Sequence, residues 1–207
     1  MNCITKDICH GGLTWEQQCE IFDAQIAFSF SNNTRGSNLK NIDLVFFPIL
    51  VVEYFYVVVF NLKKTAINIL NNNRDEATSY AADYKDICDL LITLFSRYLE
   101  GVGHKKRHVV TTAVPYIPKF KCTTKKNIQD FGIFSIHHME MYMGEPFSKW
   151  DYGLVEKLEK QNLLLLRLRV KFADKILLHE INVLARKVML DFEEFHKYLT
   201  VSRKEII

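Results

Sequence analysis

At 207 residues with 48% hydrophobic content, the chain supports one well-cored domain and is too short for two large ones. Its 27 basic and 24 acidic residues leave a net charge of +3, which makes no electrostatic case for a specific nucleic-acid partner. Five cysteines (Cys3, Cys9, Cys19, Cys88, Cys122), odd in number and without paired short spacings, argue for reduced thiols and against a zinc pattern or a redox pair.

The first residues carry no basic segment followed by an apolar run, so no signal peptide is expected. Residues 1–41 are weakly periodic, with only 15–30 able to pack as a helix or strand before the polar, turn-like run 31–38. From residue 42 the pattern sharpens. Residues 43–48 form a β-branched and aromatic run that Pro48 is expected to stop, and residues 54–62 are apolar on both faces, as in a central strand. Pro48 and Glu53 make the whole apolar stretch 44–60 a poor membrane span. Lys63-Lys64-Thr65 reads as a turn, 66–70 as a returning strand and 71–73 as a loop.

Apolar residues at 84, 87, 88, 91, 94, 95 and 98 keep helical spacing across 78–98, and Gly101-Val102-Gly103 closes that run. Residues 108–114, β-branched and followed by Pro115 and Pro118, read as another strand. The basic runs 105–108 and 119–126 read as solvated loops. A helix follows. Asp130 is placed to accept from free N–H groups of its first turn, Ile136, Met139 and Met143 mark its apolar stripe, and Gly144 can take the left-handed closing position. After Pro146, residues 154–160, 163–178 and 181–198 read as C-terminal helices. This order favours an α+β domain over 42–207, with a central, mostly antiparallel sheet flanked by helices and a helical C-terminus, after a poorly defined region 1–41.

The run Asn127-Ile128-Gln129-Asp130-Phe131-Gly132-Ile133-Phe134, continuing into His138-Met139-Glu140-Met141-Tyr142-Met143-Gly144, resembles the nucleophile segment of the ubiquitin-like-protein-specific (SUMO-type) cysteine proteases, closest to their plant branch. The resemblance covers about residues 42–144 and extends loosely into the tracts Leu168-Arg169 and Lys175-Ile176-Leu177. It implies a papain-like cysteine-protease-type domain, a nuclear or cytoplasmic setting, no cofactor, and a ubiquitin-like modifier or modified protein as partner. The family's histidine position falls on Tyr54, its aspartate on Asn71, its cysteine on Phe131 and its oxyanion-hole glutamine on Lys125. Phe55, Asp130 and Gly132 stand where a substrate groove would be lined.

Chemistry weighs these changes unequally. Asparagine can still orient an imidazole, so Asn71 alone is survivable. Tyr54, with an ordinary pKa of about 10, is a poor general base near neutrality. Phe131 carries no nucleophile, and no rearrangement can supply one. The expected function is therefore a catalytically inactive, pseudoprotease-type domain that binds a modifier or protein partner. One alternative is an active peptidase that removes SUMO-like modifiers after a diglycine tail and uses another thiol such as Cys122; Cys88 reads as core. Another is a helical interaction module over 151–207. His137, His138 and Glu140 supply too few ligands on one face for a metal site and read as a polar helix face packed under a loop.

Overall fold

The structure is a computed structural model that describes residues 4–5, 12–31, 39–51, 54–72, 78–120, 130–154, 158–179 and 182–204. The long apolar runs make its centre. Strands β2 (Leu44–Val51), β3 (Tyr54–Asn61) and β4 (Ala66–Leu70) pair antiparallel, with Val57 opposite both Pro48 and Leu70. Two short strands, β1 (Ile4–Thr5) and β5 (Pro115–Tyr116), add parallel edges, giving a mixed sheet in the order β1-β2-β3-β4-β5. The fold is α+β, with a mixed sheet flanked by helices and a helical C-terminus.

Pro48 does not stop its strand. Among the described residues β1 pairs with β2 at Ile49 and Leu50, just past Pro48, and β2 runs on to Val51. The loop 62–65 turns tightly, with Thr65 at a φ of 61°.

Helix α1 (Trp15–Ser31) settles the helix-or-strand ambiguity of the N-terminal region. Tyr84 divides the next predicted helix into α2 (Tyr80–Asp83) and α3 (Lys85–Gly101). Ser79 caps α2 by accepting from the Ala82 N–H at 3.2 Å, and Gly103, at a φ of 65°, closes the run after α3. Residues 108–114 are not a strand: α4 (Arg107–Thr112) replaces it, and only Pro115 and Tyr116 pair with β4. Thr111 and Thr112 donate their hydroxyls to the His108 carbonyl at 2.7 and 3.4 Å, a backbone contact that lets threonine sit in a helix, while Val110 is buried in the core.

The sheet is covered on both faces. Tyr56, Val58, Phe60, Ile67 and Ile69 pack with Phe22 and Ile26 of α1 and with Leu91, Leu94 and Phe95 of α3. Phe47 sits 5.4 Å from Phe60 and 5.2 Å from Phe95, both edge-on. Val57, Val59 and Leu70 point the other way, against Tyr142 and Trp150. That second layer is built by α5 (Phe131–Met141) and the segment after it.

The chain divides into two compact units, Met1–Asn162 and Leu163–Ile207. Helix α6 (Leu158–Leu177) merges the two helices predicted at 154–160 and 163–178, leaving Leu154 outside, and α7 (Ala185–Lys204) follows. No helix among the described residues is long and apolar enough to cross a membrane.

Gly144 does not close α5 directly, since the helix ends at Met141. It lies beyond, at a φ of 84°, where an added Cβ would stand 2.9 Å from Asn61 Nδ2 and 3.2 Å from Leu44 Cδ2, while its carbonyl accepts from Lys64 Nζ at 2.6 Å. Left-handed strain and overpacking act together there, so Gly144→Ala is expected to destabilise the fold by about 2–4 kcal/mol in urea unfolding. A loss below about 0.5 kcal/mol, the range of an ordinary surface change, would contradict this close approach.

Candidate functional site

Helix α5 buries Phe131, Phe134, Ser135, His138 and, just past its end, Tyr142: one face at three-, four- and seven-residue spacing, with His137 beside it. This replaces the expected stripe. Met143 is 73% exposed and Ile136 only half-buried, although Met139 packs at the core margin. Two cross-links set the direction of the helix. Asn68 Nδ2 donates to the Tyr142 hydroxyl at 3.4 Å, and four residues further along the strand Asn72 meets His138. The helix therefore runs antiparallel to β4, which puts its start at Phe131 beyond the C-terminal end of that strand. The backbone of Tyr54 opens β3 at the same end of the sheet, paired with Val51.

Strand alternation separates the other predicted position. Asn71 donates through Nδ2 to the Tyr84 hydroxyl at 2.7 Å, on the face that carries α1 and α3. Asn72, one residue on, points to the opposite face and reaches His138 Nε2 with Oδ1. A shift of one residue thus decides which asparagine meets α5. Phe131 is buried, and Asp130 precedes it at 1% exposure without the expected capping bond to the first turn. Gly132 has open space where a Cβ would stand, and Phe55 is half-buried opposite Leu50. The Tyr54 side chain, Lys125, Cys3, Cys9 and Cys122 fall outside what the structure describes, as does the polar run from 32 to 38.

The most constrained group is His138, 1% exposed. Phe120 stacks on its ring at 5.1 Å and 11°, and Trp150 and Tyr152 close round it at 5.4 and 6.4 Å. Burial, helped by the neighbouring His137, pushes its pKa down to about 3, so the ring is neutral. The Asn72 oxygen only accepts, so Nε2 carries the proton, and Nδ1 has no hydrogen-bond partner among the described residues. His137 places its own Nε2 2.8 Å from the Tyr152 carbonyl, tying the helix to the segment above it. The two histidines therefore lie under a loop, engaged with different partners. Among the described residues no group of three His, Cys, Asp or Glu side chains is placed to hold a metal ion.

The described thiols are Cys19 and Cys88, both buried on the other face of the sheet. Burial, and secondarily Asp89, raises the Cys88 pKa to about 12, and burial raises that of Cys19 as well. Neither is a nucleophile at neutral pH. Outside the histidine shell, Trp150 and Tyr152 also line an open cleft of about 830 Å³ with Tyr116 and Phe147, rimmed by Lys119 and Lys149. Sequence reasoning missed Asn72, Phe120, Trp150 and Tyr152. The alternation Leu70-Asn71-Asn72 and the aromatic cluster after Pro146 were the available signals. The chain matches no protein-family model and no curated protein.

The folded imidazole stays neutral where the unfolded one, near 6.5, takes up a proton. The contribution of His138 to stability is thus full above pH 6.5 and falls by about 1.4 kcal/mol per pH unit as the pH drops from there toward 3. Urea midpoints measured at pH 6.5 and 5 should show the wild type losing about 2 kcal/mol more than His138→Phe. Equal losses in the two proteins would contradict a buried neutral ring.

Proposed function

We propose that this chain is a pseudoprotease-type domain: a relative of the cysteine peptidases that process ubiquitin-like modifiers, without their chemistry, and acting by binding a modifier or protein partner. The observation that carries this reading is Phe131, a buried aromatic side chain at the helix start where the resemblance calls for a thiolate. A thiolate there would be stabilised by the partial positive charge of the helix N-terminus, whereas a phenyl ring gains only burial. Asn71 supports the reading, because its amide is bonded to Tyr84 on the far face of the sheet from α5. So does His138, whose ring is neutral and enclosed and cannot serve a substrate as base.

The cleft beside Trp150 and Tyr152 is the place we assign to partner binding. Its aromatic floor, with Lys119, Lys149 and Asp151 also lining it, suits an extended segment with apolar and charged groups. The test uses ubiquitin-like modifiers with thiol-reactive C-termini and intact-mass detection. No covalent adduct is expected from folded protein, and Phe131→Cys alone is expected to restore no modifier cleavage. An adduct mapped to one cysteine, or cleavage by the single variant, would overturn the proposal and favour the active-peptidase reading.

A further inference from the structure

The walls of the partner cleft come from the segment that follows β5 and the segment that follows α5. Tyr116 and Phe147 join them, with ring centroids 5.7 Å apart and planes tilted by 38°. The second wall is held before anything binds. The Lys149 and Trp150 N–H groups donate to the Pro146 carbonyl at 2.8 and 3.1 Å, and His137 Nε2 meets the Tyr152 carbonyl at 2.8 Å. Trp150 also packs in one buried cluster with Val57, Val59 and Leu70 of the sheet. A wall fixed in this way loses little freedom on binding.

Charge in the lining is unevenly answered. Asp151 accepts from the Gly153 N–H at 2.9 Å through Oδ1, closing a turn within its own loop. Lys119 and Lys149 are both exposed, and no ion pair among the described residues includes either of them. The indole N–H of Trp150, a residue only 6% exposed, has no hydrogen-bond partner among the described residues. The unanswered groups are thus weighted toward donors, with two positive charges in the lining against one negative. Tyr116, 55% exposed, adds an open ring face. Two lysines against one aspartate make a weak hold on a phosphate chain, and the whole protein carries only +3, so a peptide fits this cleft better than a nucleic-acid strand.

We propose that the cleft takes an extended segment of a protein partner in which carboxylate and aromatic side chains are neighbours. The carboxylates answer Lys119 and Lys149, and an aromatic ring lies against Tyr116 and Phe147. This occupant rests on the reading of the chain as a binding domain and names the chemistry that it binds.

Fluorescence anisotropy with the full chain and short labelled peptides tests it. A peptide alternating glutamate and phenylalanine is expected to bind, and to bind less well as salt is raised. Peptides with glutamine or lysine in place of glutamate, or serine in place of phenylalanine, are expected to bind more weakly. Lys119→Glu combined with Lys149→Glu should weaken the glutamate peptide roughly tenfold, with the circular-dichroism spectrum and urea midpoint unchanged. Asp151→Asn, which keeps the turn through its amide oxygen and removes the charge, should tighten binding by about threefold. Failure of the wild type to bind, equal binding of the glutamine peptide, indifference to the double lysine reversal, or tighter binding of a single-stranded oligonucleotide would each overturn the proposal. The two readings fail separately: a covalent adduct with a thiol-reactive modifier counts against the pseudoprotease assignment, whereas lost charge dependence counts against this occupant.

Discussion

The bond between Asn72 and His138 is the constraint on which the second layer depends. A neutral imidazole can be buried only if its N–H finds an acceptor, and the acceptor here comes from the first residues after β4. That pairing fixes the rotation of α5, because the face carrying His138 also carries Phe131, Phe134, Ser135 and Tyr142. The aromatic shell follows from the same requirement. Phe120, Trp150 and Tyr152 exclude water from the ring, and His137 holds their segment in place through the Tyr152 carbonyl. Removing the acceptor would leave a buried donor at a cost of about 1–3 kcal/mol.

The same arrangement bears on chemistry. Its polar groups are turned inward, toward the junction of helix and sheet, and the described thiols, Cys19 and Cys88, are sunk in the opposite layer. An enzyme of the proposed ancestry would need the reverse: an accessible base, a nucleophile at the helix start and an orienting amide on one face. The sheet brings the backbone of Tyr54 and the start of α5 to one end. The described side chain at that helix start, Phe131, is buried.

How far the sequence revealed this differs element by element. The turn at Lys63-Lys64-Thr65 and strand β4 are readable from residues alone, because a polar lysine pair separates two apolar, β-branched runs. Residues 108–114 mislead because their β-branched propensity is outweighed by threonine hydroxyl bonds and the burial of Val110. Pro48 misleads because β2 continues past it, with Ile49 and Leu50 paired to β1. In α5 isoleucine and methionine suggest one apolar stripe, whereas the buried face contains a serine and a histidine whose partner, Asn72, comes from a distant segment. The choice between Asn71 and Asn72 turns on a period of two, which is invisible until the register of β4 against β3 is known.

The central claim is that His138 is a neutral, Nε2-protonated imidazole locked to Asn72. Long-range proton–nitrogen correlation of the histidine rings, followed from pH 7.5 to pH 5 with His138 assigned by substitution, tests it most directly. His138 is expected to show one fixed tautomer, protonated at Nε2, with nitrogen shifts that do not move across that range. A His138 that titrates near the ordinary histidine value, or that shows the Nδ1-protonated tautomer, would contradict it.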